Sequence, residues 1–187
     1  PPASCQGARA PGTMDRPNPT TIPPLKSSTR IKVISVGEPA VGKSCLIKRY
    51  CEQRFVSKYV ATIGVDYGVK PLRVKGREVR VNFWDLAGGE EYAEIRNEFY
   101  KDAQGAIIVF DVGNRKSFDA LAFWLKESAT YGADPAKSCA FVLVGNKTDT
   151  DRRAVTEAEA QKFAKQNGMP YFETTAKDGT NVQEMFH

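Results

Sequence analysis

The stretch Ile31-Lys-Val-Ile-Ser-Val36-Gly37-Glu-Pro-Ala-Val-Gly42-Lys43-Ser44 decides the fold of this 187-residue chain. Its first six residues are mostly β-branched, which is typical of a buried strand, and they lead directly into the pattern G-x-x-x-x-G-K-[ST]. A helix-forming segment follows from Ser44 to about Gln53. In such a unit the loop N–H groups and the helix N-terminus surround a phosphate chain. The alternative is a simple glycine turn, which the strand–loop–helix context disfavours.

Outward from this unit, short apolar strands alternate with helices. Strands are predicted near Gly64–Val74, Glu78–Trp84, Ala106–Phe110, Ala140–Val144 and Tyr171–Thr174, and helices at Ser117–Thr130, from Thr156 to about Asn167, and from Asn181 onward. Lys75-Gly76-Arg77 has the composition of a hairpin turn, and Thr156-x-x-Glu159 is a capping box. Strands without strict polar alternation are expected where both faces of a sheet are covered. The pattern therefore predicts a three-layer α/β domain.

Composition excludes several other classes of protein. Hydrophobic residues make up 41% of the chain and charged residues 26%, as in ordinary globular proteins. No stretch approaches the roughly 18 consecutive apolar residues that a membrane span requires. The four cysteines form no C-x-x-C pair and the single histidine is His187, which argues against a Cys/His zinc cluster and against histidine catalysis.

The net charge of +5 is concentrated at the N-terminus. Residues 1–30 hold seven of the eleven prolines and contribute +4 − 1 = +3, so they are predicted to form a disordered basic tail. The folded domain predicted over residues 31–187 keeps only +2. Because its aromatic residues are not interleaved with basic ones, no nucleic-acid partner is expected.

A second motif indicates which base the site binds. Phe141-Val-Leu-Val-Gly-Asn146-Lys147-Thr148-Asp149 places N-K-x-D where a predicted strand ends. A carboxylate at Asp149 can accept from both N1–H and the exocyclic amine of guanine, a donor pair that adenine lacks. A backbone N–H in the later segment Thr175-Ala176-Lys177 could donate to guanine O6. N-K-x-D alone could be a polar loop, but its order after the first motif favours guanine.

These motifs together resemble the Ras superfamily of small GTPases over residues 31–187. The stretch Ala61-Thr-Ile-Gly-Val-Asp-Tyr67 is similar to the Rab branch. Arg96-Asn-Glu-Phe-Tyr-Lys-Asp102 and Lys48-Arg-Tyr-Cys-Glu52 are closer to the Rab and DnaJ-like (RJL) group. The resemblance implies a P-loop NTPase fold: a mostly parallel six-stranded sheet with one antiparallel edge strand and helices on both faces. It also implies that the last helix is truncated.

The resemblance further implies a role for each matching residue. The nucleotide would be bound by Gly37, Val41, Gly42, Lys43, Ser44, Cys45, Phe55, Tyr59, Thr62, Gly88, Asn146, Lys147, Asp149, Thr175, Ala176 and Lys177. Mg²⁺ would be held by Ser44, Thr62 and, through water, Asp85. The residues acting in GTP hydrolysis would be Lys43, Thr62, Gly88 and the degenerate position Gly89. Phe55 would lie against the guanine edge, the alternative being an ordinary core aromatic.

Two residues depart from the family pattern. Where active relatives have a glutamine that orients the attacking water, this chain has Gly89, so we expect slow hydrolysis of GTP and a largely GTP-bound protein. Glu90 is not expected to substitute, because it lies one residue too far along and is negatively charged. Pro39 removes one loop N–H and adds a ring where a partner's arginine would enter, or it simply makes the loop more rigid.

The expected function is that of a molecular switch. The resemblance implies that regions 54–65 and 86–100 are presented to effector proteins, and we expect a monomer without a visible lipid anchor. A cytoplasmic location is expected, with the nucleus and the ciliary base as alternatives. A GTP-stabilised interaction module that barely cycles is the second hypothesis. A P-loop nucleotide kinase is disfavoured, because no arginine-bearing lid is visible and N-K-x-D would then have no purpose.

Overall fold

The strand that precedes the phosphate-loop pattern lies inside a six-stranded sheet with the order β2-β3-β1-β4-β5-β6. The computed structural model describes residues 29–137 and 139–187, so the predicted tail falls almost wholly outside the described residues. The strands are β1 (Thr29–Val36), β2 (Val65–Val74), β3 (Arg77–Leu86), β4 (Gly105–Asp111), β5 (Ala140–Asn146) and β6 (Tyr171–Thr174). Among the strands of the described residues, only the β2–β3 pair is antiparallel, which confirms the predicted fold class.

The hairpin that carries the edge strand is built as predicted. Val74 pairs with Arg77, which leaves Lys75 and Gly76 as a two-residue turn. Both turn residues have positive φ angles, 48° and 77°, and this mirror-image turn matches the right-handed twist of the two strands. Pro71 lies in β2, where an edge strand tolerates a residue without an N–H donor.

The helices differ from the predictions at two places. They are α1 (Lys43–Glu52), α2 (Ala93–Tyr100), α3 (Arg115–Asp119), α4 (Leu121–Thr130), α5 (Glu157–Gln166) and α6 (Val182–Phe186). The single helix predicted over Ser117–Thr130 was wrong in its extent: it divides at Ala120, and it begins earlier because the Asn114 side chain accepts from the Lys116 N–H. Helix α2 was not predicted. The capping box is confirmed, since the Thr156 hydroxyl accepts from the Glu159 N–H at 3.3 Å.

The sheet separates two apolar clusters. Neighbouring residues of β4 alternate between them, with Ile107 in the cluster beneath α1 and α6 and Ile108 in the cluster beneath α2 to α5. Helices therefore cover both faces, and the largest buried side chain is Trp124 on α4. Among the described residues, no helix combines the length and the apolar character needed to cross a membrane.

Candidate functional site

A cavity of about 580 Å³ opens where β1 and β5 end. Open α/β sheets bind ligands at this edge, and the volume suits a small-molecule ligand. Most of the predicted nucleotide-binding and catalytic residues line it: Gly42, Lys43, Ser44, Cys45, Phe55, Tyr59, Thr62, Gly88, Gly89, Asn146, Lys147, Asp149, Thr175, Ala176 and Lys177. Gly37, Val41 and Asp85 are not part of this lining. The Val41 side chain is buried in the core, so only its backbone could meet a ligand.

The two glycines of the phosphate loop are required by close packing. A Cβ at Gly37 would lie 2.2 Å from the Val109 carbonyl oxygen, and a Cβ at Gly42 would lie 2.2 Å from Asn146 Nδ2. Both residues also have φ angles in the left-handed range, at 136° and 101°. The loop therefore reaches its shape only with glycine at both positions.

Substitution of Gly42 should damage the site more than an ordinary glycine substitution. We expect Gly42→Ala to lower the free energy of unfolding by about 2 kcal/mol or more, because backbone strain is joined by the collision with Asn146. Gly76→Ala is the matched control, since Gly76 also has a positive φ but faces open space. Urea unfolding measures both variants, and equal losses would contradict a role for the Asn146 contact.

Lys43 is buried at the base of the cavity and points back at its own loop. Its ammonium donates to the Gly37 carbonyl at 2.7 Å and to the Glu38 carbonyl at 2.9 Å. Burial lowers the pKa of Lys43 to about 8, although the charges of Asp85 and Glu38 oppose this change. A buried ammonium that bonds only neutral carbonyls is well placed to bind an added anion.

Ser44, Thr62 and Asp85 come together although they lie far apart in sequence. The Ser44 and Thr62 hydroxyl oxygens are 3.0 Å apart, the Thr62 hydroxyl donates to Asp85 Oδ2 at 3.4 Å, and the Ser44 hydroxyl donates to the same oxygen. Asp85 is 3% exposed, and its Oδ1 atom has no hydrogen-bond partner in the part of the chain that the structure describes. Burial raises the pKa of Asp85, and the Ser44 hydrogen bond and the Lys43 charge oppose this change.

These oxygen atoms suit a small divalent cation. Hydroxyl and carboxylate oxygens are the ligands that Mg²⁺ prefers, and the two hydroxyls and Asp85 Oδ2 lie together here. The described residues contain no group of three or more His, Cys, Asp or Glu side chains that could hold a metal. Water and phosphate oxygens are the ligands that usually complete the coordination of Mg²⁺ at a site with few protein ligands.

The N-K-x-D residues divide between bracing the cavity and facing it. Asn146 Nδ2 donates to the Val41 carbonyl at 2.8 Å, and the Lys147 ammonium donates to the Ala40 carbonyl at 2.7 Å. Both residues thus connect the N-K-x-D loop to the phosphate loop. Asp149 instead lies at the cavity rim, where the Thr175 hydroxyl donates to its Oδ1 atom at 2.9 Å.

Arg49 is a site-supporting residue that the sequence analysis missed. Its Nε donates to the Ala176 carbonyl at 2.8 Å, and its Nη2 donates to the Lys177 carbonyl. The guanidinium also lies 6.0 Å from the ring centroid of Phe55. Nothing in the sequence distinguishes this arginine from other polar residues of an amphipathic helix, because its partners are backbone carbonyls far along the chain.

Backbone packing requires glycine at position 88 but not at position 89. A Cβ at Gly88 would lie 2.5 Å from the Gly37 carbonyl oxygen, so the backbone packing requires glycine there. Gly89 has an ordinary extended conformation, with φ −65° and ψ 143°. The three atoms nearest to a Cβ at Gly89 all belong to the carboxylate of Glu91, 2.5 Å away, at the end of a flexible and exposed side chain. The fold therefore does not demand glycine at position 89.

Comparison with known proteins agrees with this geometry. Proteins named DnaJ homolog subfamily C member 27 are similar to this chain. That of Danio rerio is 53% identical over 164 residues, covering 86% of this chain and 60% of the relative. Those of Rattus norvegicus and Homo sapiens are each 52% identical, over 168 and 164 residues, and cover 87% and 85% of this chain and 60% and 59% of the relatives.

The chain thus spans about 60% of the length of the relatives that it matches. Their similarity confirms the resemblance to the Rab and DnaJ-like group. A sequence model of the Ras family matches residues 32–187, which include the whole cavity described above. On this match, the chain belongs to the Ras family of small GTPases.

Proposed function

We propose that this Ras-family GTPase is a switch that hydrolyses GTP slowly and rests largely with GTP bound. The observation that carries the proposal is Gly89, which lines the cavity but has no side chain to orient the attacking water. Loss of one positioning group of this kind typically lowers the rate by roughly 10²–10³. The phosphate loop and the Ser44–Thr62–Asp85 group remain in place to support residual hydrolysis.

The acidic residues that follow Gly89 do not replace the missing glutamine. Glu90 is exposed at the start of a short 3₁₀ turn, and Glu91 places its carboxylate beside the Gly89 backbone. A carboxylate has no N–H to donate to a developing negative charge, and it would be repelled by the terminal phosphate. The Glu91 carboxylate therefore lies where a side chain at position 89 would begin, but it does not orient the attacking water as a glutamine would.

For the nucleotide, we propose one arrangement of the cavity residues. Lys43 would exchange its loop carbonyls for the β- and γ-phosphates. The Ser44 and Thr62 hydroxyls would hold Mg²⁺, and Asp85 would hold it through water. When bound, this ion neutralises phosphate charge. Asp149 accepts from the guanine base, while the N–H groups of the Thr175–Lys177 loop face its O6. Phe55 closes the cavity beside the base, and Tyr59 closes it beside the phosphates.

Presentation of the first switch region to effectors is supported by its exposed apolar side chains. Tyr59, Val60 and Ile63 are 64%, 73% and 80% exposed, and they flank Thr62. Apolar groups on such a surface are typical of a protein-binding site. We propose that Thr62 orders this segment in the GTP state, and that the protein acts as a cytoplasmic monomer.

Asp85 provides a test of the proposed ion site. We expect Asp85→Asn to raise the Mg²⁺ concentration needed to retain nucleotide by roughly 10–100-fold. The amide keeps the shape of the carboxylate but loses its charge. Nucleotide dissociation measured across a Mg²⁺ titration gives the result. Asp66→Asn is the matched control, since Asp66 is a nearby but exposed carboxylate. An unchanged titration for Asp85→Asn would contradict the assignment.

The proposed nucleotide state is tested directly by the nucleotide that the purified protein carries. Chromatography of the released nucleotide should give mostly GTP, followed by slow single-turnover hydrolysis in the loaded protein. A protein recovered mainly with GDP would contradict the resting state that we propose. Complete absence of hydrolysis would favour the second candidate, a GTP-stabilised interaction module, which the same Gly89 observation also permits.

A further inference from the structure

A buried ion pair joins helix α2 to helix α4 beside the cavity. Arg96 is 2% exposed, although arginine is rarely buried unless it is paired. Its Nε and Nη2 atoms donate to the two carboxylate oxygens of Glu127 at 2.7 Å and 2.9 Å. The guanidinium also lies 4.7 Å from the ring centroid of Trp124. This two-point pairing fixes both the position and the orientation of the arginine.

The remaining arm of Arg96 reaches the wall of the nucleotide cavity. Its Nη1 atom donates to the Gly89 carbonyl at 2.6 Å. The same carbonyl accepts from the Tyr92 N–H at 3.2 Å, which closes the short turn after Gly89. The backbone at the degenerate position is therefore held by a charged side chain that is itself fixed to another helix.

The ion pair is also connected to the phosphate loop. Trp124 Nε1 donates to the Glu38 carboxylate at 3.1 Å, and the Glu38 carbonyl accepts from Lys43. On the other side, the Tyr100 hydroxyl donates to Glu127 at 2.6 Å. Burial alone would raise the pKa of Glu127, but hydrogen bonds from Arg96 and Tyr100 and the Arg96 charge bring it below its usual value.

We propose that Arg96 is a positioning residue that holds the Gly89 peptide at the cavity wall and thereby restrains residues 88–92 of the predicted second switch region, 86–100. Helix α2 could swing away only by separating Arg96 from Glu127, which would leave buried charges without partners. Rotation of the Gly89 peptide would remove the shorter of the two Nη1 hydrogen bonds and leave only the 3.5 Å bond to the Ala87 carbonyl. The restraint that Arg96 places on the backbone does not depend on the proposed function. An effect of Arg96 on GTP hydrolysis does rest on it.

The test removes the ion pair without leaving a buried charge. In the triple variant Arg96→Met, Tyr100→Phe, Glu127→Leu, apolar groups replace the charged pair and the attached hydroxyl, a change that often preserves stability. Hydrogen exchange is followed at residues 88–92 in the GDP-loaded protein. We expect the Tyr92 amide, which bonds the Gly89 carbonyl, to exchange roughly 10–100-fold faster while the thermal midpoint stays near that of the parent.

A matched control separates this role from the general loss of an ion pair. Arg115→Met, Glu159→Leu removes an exposed pair that joins α3 to α5, and it should leave exchange at residues 88–92 unchanged. If the triple variant does not fold, Arg96→Lys takes its place, because lysine cannot bond Glu127 at two points and also reach Gly89. Parent-like exchange at residues 88–92 in a folded variant would overturn the proposal, whatever the rate of GTP hydrolysis proves to be.

Discussion

Replacing Gly89 by glutamine should accelerate single-turnover hydrolysis of GTP by roughly 10²-fold. The backbone at position 89 is extended and suits any residue, and the atoms nearest to a new Cβ are those of the flexible Glu91 carboxylate. The amide would then orient the attacking water within the same cavity. Release of phosphate from GTP-loaded protein, measured without an activating partner, gives the rate.

Gly89→Ala is the matched control for this experiment. Alanine also moves the Glu91 carboxylate, but it brings no group that can orient water. A gain confined to Gly89→Gln would attribute the slow rate to the missing amide. An equal gain in both variants would attribute it to the Glu91 charge instead. A parent rate that already equals the Gly89→Gln rate would contradict the proposal of slow hydrolysis.

Asp149→Asn should lower the affinity for guanine nucleotides by roughly 10²–10⁴ and favour xanthine nucleotides. The carboxylate can accept from two guanine donors, whereas an amide presents one acceptor and one donor group. A site that loses matched hydrogen bonds discriminates strongly against its former ligand. The Thr175 hydroxyl can still donate to the amide oxygen, so the local structure should persist. Competition between fluorescent GDP and unlabelled GDP or xanthosine diphosphate measures the change.

Asp151→Asn is the corresponding control, because Asp151 is an exposed carboxylate on the same loop but does not line the cavity. It should leave both affinities as they are in the parent. Unchanged selectivity in Asp149→Asn would show that the base is bound elsewhere. It would contradict the assignment of the N-K-x-D loop to guanine binding.

Local sequence signals were sufficient for most of the fold and the cavity. The Lys75-Gly76 turn and the Thr156 cap each depend on neighbouring residues, so their patterns are readable in the chain. The phosphate-loop and N-K-x-D residues were found because their motifs follow directly after strands, whereas Phe55, Tyr59 and Thr62 were named only through the family resemblance. Ser44, Thr62 and Asp85 meet in space, and only the family resemblance had named them together.

Features that depend on distant partners were not predictable from the sequence. Helix α2 has few apolar residues on a regular stripe, and its single buried charge, Arg96, finds its partner 31 residues later on α4. Arg49 likewise acts on carbonyls more than 120 positions away. A lone arginine in a helix is usually solvated, so composition and periodicity alone give no reason to single out either residue.

The burial of Trp124 gives this protein an internal optical reporter. Its indole is 1% exposed, bonded to Glu38 of the phosphate loop and covered by the Arg96 guanidinium. Indole emission depends on such neighbours, so a ligand that shifts Glu38 or loosens Arg96 should change the emission of this one residue. With Trp84 replaced by phenylalanine, nucleotide loading could be followed in real time on otherwise unlabelled protein.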